Sequence, residues 1–171
     1  YDRNPGLKIW SNSSGISLRN NIFANSGIGF VVYADPGSIL SAIKNNFYAG
    51  TDSVIHYGTG YATLDEWRAA YPIDTQSVSI NPVFKVPDLL TRNINLNDQG
   101  LQLAAVPKDI EGKSRDNTPD IGAYEFDPYS NDVRLERFGG NTDACRDTSE
   151  IRLLISNNGL SNIDSMRFHL T

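Results

Sequence analysis

Apolar and polar positions alternate in short runs along the first third of the chain, with no run that keeps a helical spacing over ten residues. Ile28 to Tyr33 and Ser53 to Tyr57 alternate or are β-branched, the pattern of strands. Leu7 to Trp10 reads as a piece of a preceding turn of the same kind, and Gly15, Gly27, Gly29, Gly37 and Gly50 mark corners between the runs. The runs also recur. Arg19-Asn20-Asn21-Ile22-Phe23-Ala24 is echoed by Lys44-Asn45-Asn46-Phe47-Tyr48-Ala49. The offset is 25, from position 20 to position 45, and it sets Leu18 against Ile43, Phe30 against Ile55 and Val32 against Tyr57. A period in the twenties, made of short strands and tight turns, predicts a β-solenoid in which each coil buries its inward side chains against the next. Stacking in that register puts Asn20 under Asn45 and Asn21 under Asn46, so that the amides donate and accept along the axis. Asn also tolerates the left-handed backbone of a sharp corner. We read this row as structural rather than as a polar row facing a ligand.

The repeat breaks at Thr63-Leu64-Asp65-Glu66, a capping box with Thr63 as N-cap and Glu66 three residues on. Leu64, Trp67 and Tyr71 follow at helical spacing and Pro72 ends the run, so a short helix over 64–71 is expected to press Trp67 onto the body of the protein. Ser77 to Ile80, Asn81 to Phe84 and Leu89 to Leu96 read as irregular terminal coils, and Pro107 to Tyr124 as a charged loop ending in Asp120-Ile121-Gly122-Ala123-Tyr124-Glu125-Phe126. Composition shifts at 127–132, a linker. Beyond it Ile151, Leu153 and Ile155 alternate, Asn157-Asn158-Gly159 forms a turn, and Met166, Phe168 and Leu170 alternate again, as an antiparallel sandwich begins. Residues 133–171 are too few for a complete immunoglobulin-like domain of about 100 residues. The chain opens on Tyr1 without an initiating Met and stops at Thr171 inside an alternating pattern, so a piece of a longer protein is expected.

Charge narrows the partners. A net charge of −5 argues against nucleic acid, whose phosphates demand a basic face. No apolar run approaches the roughly 20 residues of a membrane-spanning helix, so no insertion is expected. Cys145 stands alone, either as a small buried thiol or as half of a disulfide with a partner beyond Thr171; His56 and His169 are far apart and lack Cys neighbours, so no zinc site is read.

Three places could carry chemistry. Lyase chemistry on uronic-acid polymers needs a base and a cation held by carboxylates. Arg19 and Lys44 are the basic candidates, expected one coil apart, but Asp35 and Asp52 sit on different corners and no acidic cluster joins them. Glycosidase chemistry needs two carboxylates on one face. Asp65 and Glu66 instead belong to a helix start, where negative charge is favoured, and Asp109 and Glu111 point opposite ways if extended. Third, Arg115 lies among Asp109, Asp116, Asp120 and Glu125, and a planar guanidinium bridges carboxylates well. We expect an ion-pair lock that seals the open end of the solenoid; calcium at these carboxylates is the other reading, although they lack EF-hand spacing. No catalytic, cofactor-binding or metal-ligating residue is assigned.

The segments "RNNIFANS", "NNFYAG", "GYATLDEW", "INPVF" and "DIEGKSRDNTPDIGAYEF" together resemble the C-terminal end of right-handed parallel β-helix proteins, pectate-lyase-like and of the choice-of-anchor Q type, over about residues 7–126. The most specific piece is Asp109, Gly112, Arg115 and then Asp120 to Glu125. The tail from Asn131 resembles the first strands of a CARDB-like immunoglobulin-type module, in which a cysteine placed as Cys145 is often paired later. The resemblance implies an all-β fold: the last coils of a right-handed parallel β-helix with one short helix over 1–126, a linker over 127–132, and an incomplete β-sandwich over 133–171. It implies an extracellular or cell-surface setting and a parent related to polysaccharides, without implying activity. Three readings stay open: a non-catalytic scaffold of a carbohydrate-active lyase or hydrolase, with the chemistry upstream; a non-enzymatic adhesin or stalk; and a carbohydrate-binding unit using Trp10, Trp67 and the tyrosines.

Overall fold

The computed structural model of the chain describes residues 5–50, 53–85, 88–91, 93–141 and 150–169. Strand dominates, with one short helix, and the chain divides into two compact units, Tyr1–Asp127 and Pro128–Thr171. In the first unit the strands are β1 (Leu7–Lys8), β2 (Ile16–Arg19), β3 (Ile22–Asn25), β4 (Val32–Ala34), β5 (Ile39–Ile43), β6 (Asn46–Ala49), β7 (Ile55–Tyr57), β8 (Thr59–Tyr61) and β9 (Asp74–Thr75), with helix α1 (Leu64–Ala70) between the last two. The principal ladders join strands from successive passes of the chain, in parallel. β1, β4 and β7 form one ladder, with β8 folded back antiparallel at its edge; β2, β5 and β9 form a second; β3 and β6 form a third, continued by a bridge from Asn46 to Val78.

The register differs from the letter repeat. Phe23 pairs with Phe47 and Leu18 with Ala42, an offset of 24 rather than 25, while Val32 pairs with Ile55, an offset of 23. The expected pairs Leu18 with Ile43 and Val32 with Tyr57 are therefore displaced. The cause is the left-handed corner. Asn20, Lys44 and Gln76 all have φ between +52° and +59°, so the equivalent corner residues are Asn20 and Lys44, not Asn20 and Asn45. The third pass is longer. Its corner, Gln76, follows Lys44 by the same wide offset that separates Ala42 from its ladder partner Asp74. The extra residues lie in the excursion through β8 and α1.

The amides meet accordingly. Asn45, fully buried, accepts from the backbone N–H and the side-chain amide of Asn21 at 3.0 and 3.1 Å and donates to the Leu18 carbonyl at 2.9 Å. Its own N–H donates to the Ser77 hydroxyl at 3.0 Å, so the polar column is Asn21, Asn45, Ser77. Asn46 and Asn20 act as strand surrogates. Asn46 exchanges two bonds of 2.8 Å with the backbone of Ile80, and Asn20 exchanges two of 2.7 Å with that of Leu101.

The main core runs between the ladders, through Leu18, Val32, Ile39, Ala42, Phe47, Ile55 and Tyr57. Thr63 and Glu66 form the expected capping box, and α1 lays Trp67, fully buried, edge-on against Phe47 and Tyr57 at 6.2 and 6.0 Å. A second cluster, Leu96, Ile121 and Phe126, packs with Ile22, Val78 and Ile80. The Ile121–Phe126 segment therefore lies against the corner between β2 and β3, where the Gly122 N–H donates to the Asn20 carbonyl at 2.9 Å. Gly122 has φ +120°, and a Cβ there would lie 2.8 Å from Ile22 Cδ1. The segment thus packs both on the first corner, through Ile22, and on the last pass, through Val78 and Ile80, while Trp67 packs on Phe47 and Tyr57 of the middle pass.

The second unit is a two-stranded antiparallel ribbon of β10 (Val133–Asn141) and β11 (Glu150–Asn157). Asn157-Asn158-Gly159 turns back, its Asn158 N–H donating to the Asp132 carbonyl at 2.8 Å, but leads into no strand over the described residues 162–169, so the strand expected around Met166 and Phe168 is not formed there. Cys145, Asp52 and Leu170 lie outside the described residues.

Candidate functional site

The charged loop is built around two buried carboxylates that serve the backbone. Asp109 accepts from the N–H groups of Glu111, Lys113 and Glu125 at 2.9, 2.8 and 2.9 Å, and Asp120 from those of Asp98 and Phe126 at 2.8 and 2.6 Å. Arg115 pairs with Glu125 and donates to the carbonyls of Asp120 and Gly122 at 3.3 and 2.8 Å. Of the four expected acidic partners only Glu125 is in direct ion contact. Asp116 caps its own turn at the Thr118 N–H, and Asp120 meets the guanidinium through its carbonyl.

Environment splits the titration of these groups. Burial pushes the Asp120 carboxyl up, more than its two N–H partners pull it down. Burial likewise raises Glu125 despite the Asp120 N–H and the charge of Arg115. For Asp109 burial also acts upward, but three backbone N–H groups and Arg115 outweigh it, and the pKa falls. Oxygens committed to N–H donors are poorly placed to ligate calcium, and among the described residues no group of three His, Cys, Asp or Glu side chains could hold a metal ion.

The other sequence candidates separate. Arg19 stands opposite Ile43 on the ladder, while Lys44 occupies the left-handed corner equivalent to Asn20, so the two bases do not stack. Asp65 pairs with Arg68 at 3.1 Å and Glu66 belongs to the capping box. Arg68 also holds the buried Asp74 at 2.7 Å and the carbonyl of Ser77, which ties the helix to the foot of the Asn21–Asn45–Ser77 column. Sequence reading missed this trio because the helical insertion breaks the repeat between Lys44 and Gln76.

It also missed an outward strip on the first ladder. Lys8, Tyr33 and His56 are in register on β1, β4 and β7. Their neighbours Leu7, Val32 and Ile55 belong to the core, so alternation turns these three outward. The Tyr33 and His56 rings stack at 4.2 Å and 6°, with Phe30 edge-on to His56 at 5.1 Å. The Lys8 ammonium stands 4.3 Å from the Trp10 ring centre and 5.8 Å from that of Tyr33. Trp10 is 70% exposed, and His56 Nδ1 is buried without a hydrogen-bond partner. A signal existed in sequence: the step from Lys8 to Tyr33 equals the step from Asn20 to Asn45 in the letter repeat.

No protein-family model, no curated protein and no solved structure matches the chain. Among the described residues no helix is long and apolar enough to cross a membrane.

Proposed function

We propose that residues 1–126 are the last coils of a right-handed parallel β-helix, that residues 133–171 begin an immunoglobulin-like sandwich, and that the chain is a non-catalytic segment of a secreted or cell-surface protein whose parent binds or degrades polysaccharide. The observation that carries this reading is the set of parallel ladders whose partners recur at a nearly constant offset: Leu7 with Val32, Phe23 with Phe47, Val32 with Ile55. Regular parallel pairing at a period in the twenties is what stacked coils require. The carboxylates of the charged loop support a non-catalytic role, since they are committed to backbone N–H groups rather than to a reacting centre.

The test is the complete gene product. Further coils of the same period upstream, retention of the whole protein on polysaccharide resin, and recovery of the protein from the cell exterior are expected. An upstream sequence without the period overturns the β-helix. Failure to be retained on any polysaccharide turns the reading to a stalk or adhesin of the cell surface. A Lys or Arg base with an acidic cluster on successive upstream coils makes the parent a lyase, and two facing carboxylates make it a hydrolase.

A further inference from the structure

We propose that the outward strip formed by Trp10, Tyr33 and His56 is a binding site for a pyranose oligosaccharide. This rests on the polysaccharide reading above and gives it a place in this chain.

The strip is built rather than incidental. Lys8, Tyr33 and His56 sit on successive parallel strands about 4.8 Å apart, so the scaffold fixes their spacing, and Trp10, two residues past Lys8 and beyond the end of β1, joins the row through the Lys8 ammonium. Phe30 braces the stack from the side and packs close to the next strand, where a Cβ at Gly60 would lie 3.2 Å from Phe30 Cε1. Trp10 stands at one end. One face of its indole is covered by the Lys8 ammonium and the ring is still 70% exposed, which leaves the opposite face open.

The polar edges have a definite sense. His56 Nδ1 is buried with no hydrogen-bond partner, so Nε2 is the ring nitrogen the strip has to offer a ligand. The Tyr33 hydroxyl supplies a second polar edge on the same outward face. An open apolar ring beside a row of polar edges matches a pyranose, which has an apolar C–H face and a rim of hydroxyls. Phosphate-rich ligands suit the chain poorly at a net charge of −5. Proline-rich peptides also dock on aromatic rows and are the competing class.

The full chain should be titrated with cellohexaose, with a hexamer of galacturonic acid and with decaproline, following tryptophan fluorescence and heat. Trp67 is fully buried, so a fluorescence change reports on Trp10. We expect one or both hexamers to bind, W10A to weaken binding about tenfold or more, W10F to keep most of it, and Y33F to weaken it while leaving the far-UV spectrum unchanged. The neutral and acidic arms then name the sugar class. Unchanged affinity in both W10A and Y33F, no binding of either hexamer, or binding of decaproline in their place each overturns the proposal. The two readings fail separately: hexamer affinity unchanged by W10A and Y33F in a gene product that is itself retained on polysaccharide refutes the strip alone, whereas a wild-type gene product that is not retained refutes the polysaccharide parent.

Discussion

At the scale of single residues, the charged loop converts side-chain chemistry into backbone order. Arg115 and Glu125 are each only 9% exposed, so removing one partner strands a buried charge. Arg115→Ala is expected to cost about 3 kcal/mol and to lower the thermal midpoint of the first unit; an unchanged midpoint refutes the lock. The pH dependence has two opposite limbs. The folded pKa of Asp109 lies below its ordinary 3.8, so its contribution is fully present above that value and is lost as pH falls through the folded one. Asp120 and Glu125 are raised above 3.8 and 4.5, so theirs is present below those values and lost as pH rises through the folded ones. Midpoints measured from pH 3 upward should therefore show Asp120→Asn flattening the decline on the neutral side, while Asp109→Asn removes the loss on the acid side. A variant that only shifts the whole curve vertically contradicts the assignment for that residue.

At the scale of elements, much was legible and the register was not. The capping box predicted α1 because Thr63 and Glu66 satisfy local N–H groups whatever the tertiary setting; Thr63→Ala should destabilise by about 1 kcal/mol, read as a lower denaturation midpoint. The repeat was visible as letters, but letters align Asn20 with Asn45, and the backbone aligns Asn20 with Lys44 because both take the left-handed corner. A one-residue error of this kind swaps faces, which is why Phe23 meets Phe47 rather than Tyr48. At β4 and β7 the error is two residues, and faces are kept. The outward strip was half visible: the letter offset sets Lys8 against Tyr33, but Tyr33 meets His56 two residues short of it, so the full row exists only once the register of the ladders is known. β10 was not legible in the alternation, because its pattern is interrupted, although the resemblance placed first strands in this tail. The register shift between Leu135 and Arg137 lets Leu135 face Ile155 and Phe138 face Leu153, on one side of the ribbon, although their numbers differ in parity. Deleting Glu136 should leave an unbroken ladder that keeps the contact between Phe138 and Leu153 in nuclear Overhauser spectra; loss of the contact refutes the bulge.

At the scale of the whole molecule, the two units differ in what they bury. The first has stacked ladders, with Val31, Val32, Ile55, Phe47 and Trp67 all wholly inaccessible. The second is a two-stranded ribbon whose Leu135, Phe138 and Ile151 are 54%, 67% and 45% exposed. A two-stranded ribbon is marginal by itself in water, because neither face excludes solvent from its hydrogen bonds. Amide exchange should therefore separate the units in this chain. Peptides covering 31–57, which contain β4 to β7, should stay protected for hours, and peptides covering 133–157 should exchange within minutes. Arg115→Ala should raise exchange in 96–126 without altering 133–157, since its partners all lie in the first unit. Equal protection in both units would mean that the apolar face of the ribbon is covered in solution. In that case Leu135→Lys and Phe138→Lys should restore fast exchange in 133–157 and leave 31–57 unchanged.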